Sequence, residues 1–285
     1  PGKWDGWMRA GALEALLFSG ARLRAGAALS VLNPTIDHIR TREFHDQQAV
    51  YLLLRCLCLL PFLDPPSIGI ARIREAVAAA RFPRYELRQV VTSLGHSRCN
   101  DALGLLLELA TAGGNGLQSI ATEWIDAVTA LDTPESKRVL LSFVDPDIGH
   151  LGIEQHFEHH DRERLASRIA DIARVEPTVR ERLCLLCARQ LSPAMRLLLA
   201  GIVAQLGTPD ALVVGLDLIH DHANPPIPYE LVRGLETVFL QRRPYGNTGH
   251  AYTLEPRSAN EIRSRLFKMT LNDDNRRRSA LALLG

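Results

Sequence analysis

A polar or acidic residue followed by proline punctuates this chain six times, at Asp64-Pro65, Thr133-Pro134, Asp145-Pro146, Glu176-Pro177, Ser192-Pro193 and Thr208-Pro209. Proline at the first position of a helix loses nothing, because its missing N–H would have had no partner inside the helix. The oxygen-bearing side chain before it accepts a hydrogen bond from another unpaired amide of the first turn. Each pair therefore predicts a helix start, with Glu176 the poorest cap.

The runs between these marks carry helical spacing. Leu117, Ile120, Trp124, Val128 and Leu131 fall at steps of three and four, which places them on one face of a helix. The same rhythm spans residues 70–80, 87–94, 102–110, 165–172, 183–191, 197–206, 212–219, 231–240 and 262–271. No run alternates strictly for long enough to be a strand, and no Asn-Gly or Asp-Gly pair sits between alternating runs. The predicted class is all-α.

The helices also recur in pairs. Leu94-Gly95-His96, Leu131-Asp132-Thr133-Pro134 and Leu206-Gly207-Thr208-Pro209 each end an apolar helix on leucine, turn tightly and start another. Positions 94, 131 and 206 are separated by about one and two units of roughly 37 residues, although Val175-Glu176-Pro177 falls off that register. A unit of two helices cannot bury its apolar face alone and must stack on its neighbours.

Paired helices of this length with Leu-Gly or Leu-Asp turns resemble HEAT-type α-solenoid repeats. The resemblance covers most of residues 67–219 and implies a right-handed α-solenoid of antiparallel helix pairs. One such solenoid is expected over 1–285, less regular at 1–63 and 241–285, as part of a longer protein. The stretch Tyr252-Thr253-Leu254-Glu255-Pro256-Arg257, then Ile262-Arg263-Ser264-Arg265-Leu266-Phe267 and Arg276-Arg277-Arg278-Ser279-Ala280-Leu281-Ala282-Leu283-Leu284, also resembles the C-terminal repeat region of bacterial NACHT/STAND-type signalling NTPases. Such a family carries its nucleotide chemistry in an upstream domain, and no Gly-x-x-x-x-Gly-Lys-Ser/Thr loop occurs in this sequence. The resemblance thus implies a sensing or autoinhibitory arm.

Composition narrows the partners. With 285 residues, 46% of them hydrophobic and 23% charged, the chain can bury a sizeable core. The formal charge of +1 counts against a strongly basic nucleic-acid binder. Of its 33 basic residues only Lys3, Lys137 and Lys268 are lysines. Arginine offers a planar fork for carboxylates and phosphates, and a GC-rich genome produces the same bias without purpose. The most apolar stretch, 49–62, is broken by Arg55 and is too short to span a bilayer. Five cysteines, an odd number in mostly apolar surroundings, suit reduced thiols in a cytoplasm.

Three constellations are candidate sites. His156 and His160, with His150, His159, Glu154, Glu158 and Asp161 nearby, would share a face and hold a metal if 154–161 were helical, although a third ligand is not evident. A solvated loop between helices explains the same residues. Cys184-Leu185-Leu186-Cys187 has the Cys-x-x-Cys spacing, but inside an apolar helix it reads as core cysteine. The segment 241–257 is long for a connection and gathers Arg242, Arg243, Tyr245, Tyr252 and Arg257, which can pair with anions and stack on flat groups.

No catalytic motif is visible, so neither a cofactor nor a catalytic residue is expected. The expected role is a non-catalytic arm that binds a protein or other macromolecule on its concave face, attached to an effector NTPase. A nucleic-acid-binding HEAT-like protein and a HEAT-like enzyme such as a chromophore lyase are the alternatives.

Overall fold

A computed structural model of the chain describes residues 3–19, 23–40, 47–79, 87–111, 118–149, 157–189, 191–206, 209–220 and 260–267. These residues are almost entirely helical, and none of them forms a strand; one isolated parallel bridge joins Arg24 and Asp64. The chain divides into two compact units, residues 1–140 with 151–158, and residues 141–150 with 159–285.

The first unit holds α1 (Lys3–Phe18), α2 (Ala25–Arg40), α3 (Gln47–Leu59), α4 (Pro66–Ala79), α5 (Arg88–His96), α6 (Asn100–Thr111), α7 (Ala121–Leu131) and all but the last residue of α8 (Pro134–Leu141). Odd and even helices form separate rows. Helix α1 packs on α3, α3 on α5 and α5 on α7, while α2 packs on α4 and α4 on α6. Contacts of α2 with α1 and α3, and of α6 with α5 and α7, join the rows. Two rows built from consecutive helices fit a solenoid-like fold.

Apolar side chains at three- and four-residue steps fill the space between rows. Leu53, Leu57, Ile70, Ile73, Leu94 and Leu106 are fully or almost fully buried. Trp124 is the largest fully buried side chain among the described residues, and its indole N–H donates to the Leu106 carbonyl at 2.8 Å, so its one polar atom is satisfied. The Phe157 ring lies tilted against it, with centroids 6.4 Å apart. Two glycines allow backbones to touch. A Cβ on Gly69 would lie 1.9 Å from the Leu60 carbonyl oxygen, in the short 3₁₀ turn Leu60–Phe62, and one on Gly95 would lie 2.4 Å from the Ala127 Cα.

The second unit contains α9 (His159–Val175), α10 (Pro177–Cys187), α11 (Pro193–Leu206), α12 (Pro209–His220) and α13 (residues 260–267). Helix α9 packs on α10 and α11, α10 on α11, and α11 on α12. Leu165, Ile169, Leu186, Leu199, Ile202, Leu212 and Leu216 form its buried core.

Arginine supplies ties between helices that are far apart in sequence. In the first unit Arg55 of α3 lies 5.6 Å from the centre of the Trp7 ring and donates to Glu14 of α1, 41 residues earlier, at 2.9 Å. Arg72 of α4 reaches Asn33 of α2, 39 residues back, at 3.0 Å, and also pairs with Asp37. Arg74 bonds Glu108 of α6, 34 residues on, at 2.8 Å; Arg88 of α5 bonds the Ser119 carbonyl, 31 residues on, at 3.0 Å. In the second unit Arg265 of α13 grips both carboxylate oxygens of Asp217 on α12, at 2.5 and 3.0 Å. In the first unit these reaches straddle the 37-residue step read from the turns, because each tie joins a helix to its neighbour in the same row or to the turn that leads into that neighbour. A planar fork can grip two acceptors at once, which an ammonium group cannot do in that geometry.

The proline pairs show which caps work. Helices α8, α10, α11 and α12 start on Pro134, Pro177, Pro193 and Pro209 as expected. Thr133 Oγ1 accepts from the Ser136 amide at 3.1 Å, and Ser136 Oγ accepts in return from the Thr133 amide at 3.1 Å. Ser192 Oγ accepts from the Met195 amide at 3.4 Å, whereas Glu176 makes no side-chain cap bond. Two pairs differ. Asp64 trades backbone hydrogen bonds with Leu23 and Ala25, both at 2.8 Å, so α4 starts later, on Pro66. Asp145-Pro146 starts a turn and no helix.

Helix α10 ends at Cys187, short of the predicted Leu191, because the Ala188 and Arg189 amides turn back to the Leu185 and Leu186 carbonyls at 3.3 and 3.0 Å. The run 231–240 lies outside the described residues, and the run 262–271 is described as helix to Phe267. No helix among the described residues is long and apolar enough to cross a membrane.

Candidate functional site

The densest polar constellation among the described residues surrounds the turn after α8, within the second unit. Asp145, Pro146, Asp147 and Ile148 form a turn closed by the Ile148 amide donating to the Asp145 carbonyl at 3.1 Å. Proline at the second position and aspartate at the first are the residues this turn favours. The Asp145 carboxylate also accepts from the Asp147 amide at 3.0 Å. Gly149 follows with φ of 112°, where a side chain would be strained.

Helix α10 and the turn that ends it meet this turn with one arginine each. Arg182 Nε and Nη2 donate to the two oxygens of Asp145 at 2.5 and 2.7 Å, and Nη2 also reaches Asp147. Arg189 donates to Asp147 at 2.7 Å. Asp145 is only 2% exposed, while Asp147 faces solvent. The Arg182 hydrogen bonds hold the Asp145 carboxyl below its ordinary range, and those from Arg182 and then Arg189 do the same for Asp147. The two carboxylates in turn raise the Arg182 guanidinium further. Carboxylates held ionised and a guanidinium held charged give this cluster no proton to move near neutral pH. It fastens a turn to a helix.

The sequence reading used Asp145 only as a cap and did not single out Arg182 or Arg189. The available signal was spacing: they follow the Asp-Pro-Asp turn by 35 to 42 residues, about one helix pair.

Arg242, Arg243, Tyr245, Tyr252 and Arg257 lie outside the described residues, as does His156. Phe157 and Glu158 are not helical and α9 begins at His159, so the single helix that would align His156 with His160 is not formed there. His160 is exposed, with Nε2 3.4 Å from the Asp161 carboxylate. Asp161 is buried in the first turn of α9, where the helix dipole favours a negative charge. Among the described residues no group of three side chains is placed to hold a metal ion.

The Cys-x-x-Cys pair sits on α10, away from any strand-to-helix turn. Burial pushes the Cys187 thiol up to about 12, and its Sγ donates to the Leu183 carbonyl at 3.1 Å. Cys184 is exposed, contrary to the expectation of two core thiols, because Val179, Leu183 and Leu186 face inward and leave position 184 on the outer flank. Cys56 is buried in α3, with its thiol also raised to about 12.

Residues 234–285 match the family described as NACHT C-terminal Alpha/Beta 2. The match supports a NACHT-associated C-terminal region there and contains the stretch from Tyr252 to Leu284 on which the sequence resemblance rests. Residues 241–257 fall wholly inside it. Within the matched stretch the described residues are 260–267, which are helical, so the all-α class is a statement about the described residues. No curated protein and no solved structure matches the chain.

Proposed function

We propose that this chain is a regulatory arm of a NACHT-type NTPase, without catalytic chemistry of its own. It forms one solenoid of HEAT-like helix pairs over 1–285, binds a protein or other macromolecule on its concave face in the cytoplasm, and passes that occupancy to the attached NTPase domain. The observation that carries this reading is the NACHT-associated match at 234–285. The two rows of helices in the first unit support it, since a surface assembled from repeated helix pairs suits extended macromolecular ligands. Arg242, Arg243, Tyr245, Tyr252 and Arg257 are the proposed contacts, now inside the matched segment. Arginine and tyrosine are the residue types that dominate binding energy at protein interfaces.

The test compares the NACHT protein that carries this chain with a version lacking it. Deletion is expected to change the basal rate of nucleotide hydrolysis and the oligomer size, and the chain alone is expected to hydrolyse no nucleotide. Alanine at the five contacts should reproduce the deletion without lowering the melting temperature. Equal rates and equal oligomers with and without the chain would end the regulatory reading.

A further inference from the structure

The turn at 145–149 has a singular place in the chain. Residues up to 140 belong to the first unit, 141–150 to the second, 151–158 to the first again, and those from 159 to the second. Residues 141–150 thus belong to the second unit although α8 before them lies almost wholly in the first. Within the second unit this segment is held in two ways. Phe143 and Val144 are buried. Beyond them, Asp145 and Asp147 are held by Arg182 of α10 and by Arg189 just after it.

We propose that Arg182 and Asp145 form a clasp, flanked by salt-sensitive bonds to Asp147, that holds the 145–149 turn on α10, and whose release opens this turn locally while the rest of the second unit stays folded. The Asp145 carboxylate is buried and accepts two guanidinium bonds from Arg182, so it cannot leave α10 without giving up both. A buried carboxylate with its partner removed is costly, so the turn moves outward with it. The arms to Asp147 are solvent-facing, with that carboxylate 56% and Arg189 42% exposed, and salt screens such pairs first. The inner pair is screened least, which makes release a two-stage event. This clasp does not depend on any ligand of the arm.

Hydrogen exchange measured by mass spectrometry on the intact chain tests it, at about 0.05 M and about 0.5 M salt, for the wild type, Arg182→Lys and Asp147→Asn. Lysine keeps the charge and loses the fork. Arg182→Lys is expected to speed exchange at 145–149 about tenfold, and Asp147→Asn and high salt by smaller factors, with α11 changed by less than about twofold. Unchanged exchange at 145–149 in both variants would overturn the clasp. An increase spread evenly over α9, α10 and α11 would also overturn it, since the pair would then hold the whole unit. Should Arg182→Lys fail to fold, Asp147→Asn and the salt series decide: exchange at 145–149 that responds to neither refutes the proposal.

Discussion

Gly95 on α5 and Ala127 on α7 are in backbone contact: a Cβ on Gly95 would stand 2.4 Å from the Ala127 Cα and 2.7 Å from its carbonyl oxygen. Neither atom is a flexible tip that can swing away. The two helices of the odd row touch as closely as they do because position 95 carries no side chain.

Gly95→Ala is therefore expected to destabilise the first unit by about 3 kcal/mol, despite the better helix propensity of alanine. Gly69→Ala, facing the Leu60 carbonyl at 1.9 Å, should cost at least as much. Gly104, whose added Cβ would meet nothing within 4 Å, is the control, and Gly104→Ala should be neutral or stabilising. Urea denaturation of the three variants checks the order.

Caps differ in a way that mutation reads directly. Thr133→Ala removes the acceptor for the Ser136 amide and is expected to cost about 1 kcal/mol. Glu176→Ala removes no cap bond and should change the midpoint of unfolding by much less.

The thiols should separate by exposure. Cys184 is expected to react with iodoacetamide well before Cys187 and Cys56, whose thiols burial raises to about 12 and so keeps protonated at neutral pH. Peptide mapping after timed alkylation gives the sequence of modification.

Acid should weaken the second unit through Asp145. Its carboxyl is depressed in the folded state, so the unfolded chain binds the proton first and stability rises with pH. The contribution is fully present above the ordinary aspartate value, about 3.8, and is lost as pH falls through the lower folded value. Asp145→Asn is expected to lower stability at neutral pH and to flatten the profile below about pH 4. An acid profile that keeps its slope in the variant would assign the loss to other carboxylates.

Helix identity was legible in the sequence because it is a local property. The apolar steps at Trp124, Val128 and Leu131 and the starts at Pro134, Pro177, Pro193 and Pro209 depend on a few neighbouring residues, and these four starts stand where local rules put them. Asp64 and Asp145 were misread for the opposite reason. Their sequence context is that of a cap, but Asp64 is taken by a backbone bridge to residues about 40 positions earlier, and Asp145 by a guanidinium 37 positions later. The candidate cluster was hidden likewise, since Arg182 looks like any helix-surface arginine until α10 is packed.

By itself, then, the order of residues determined that this protein is made of helices, roughly where they begin, and that they come in pairs needing neighbours. Only the tertiary structure decided which helices form rows, where glycine lets two backbones meet, and which arginines grip which carboxylates. The cause is range: hydrogen bonds within a turn form between residues three or four apart, whereas the ties of Arg55, Arg72 and Arg182 reach 35 to 41 residues along the chain and exist only once the helices are stacked.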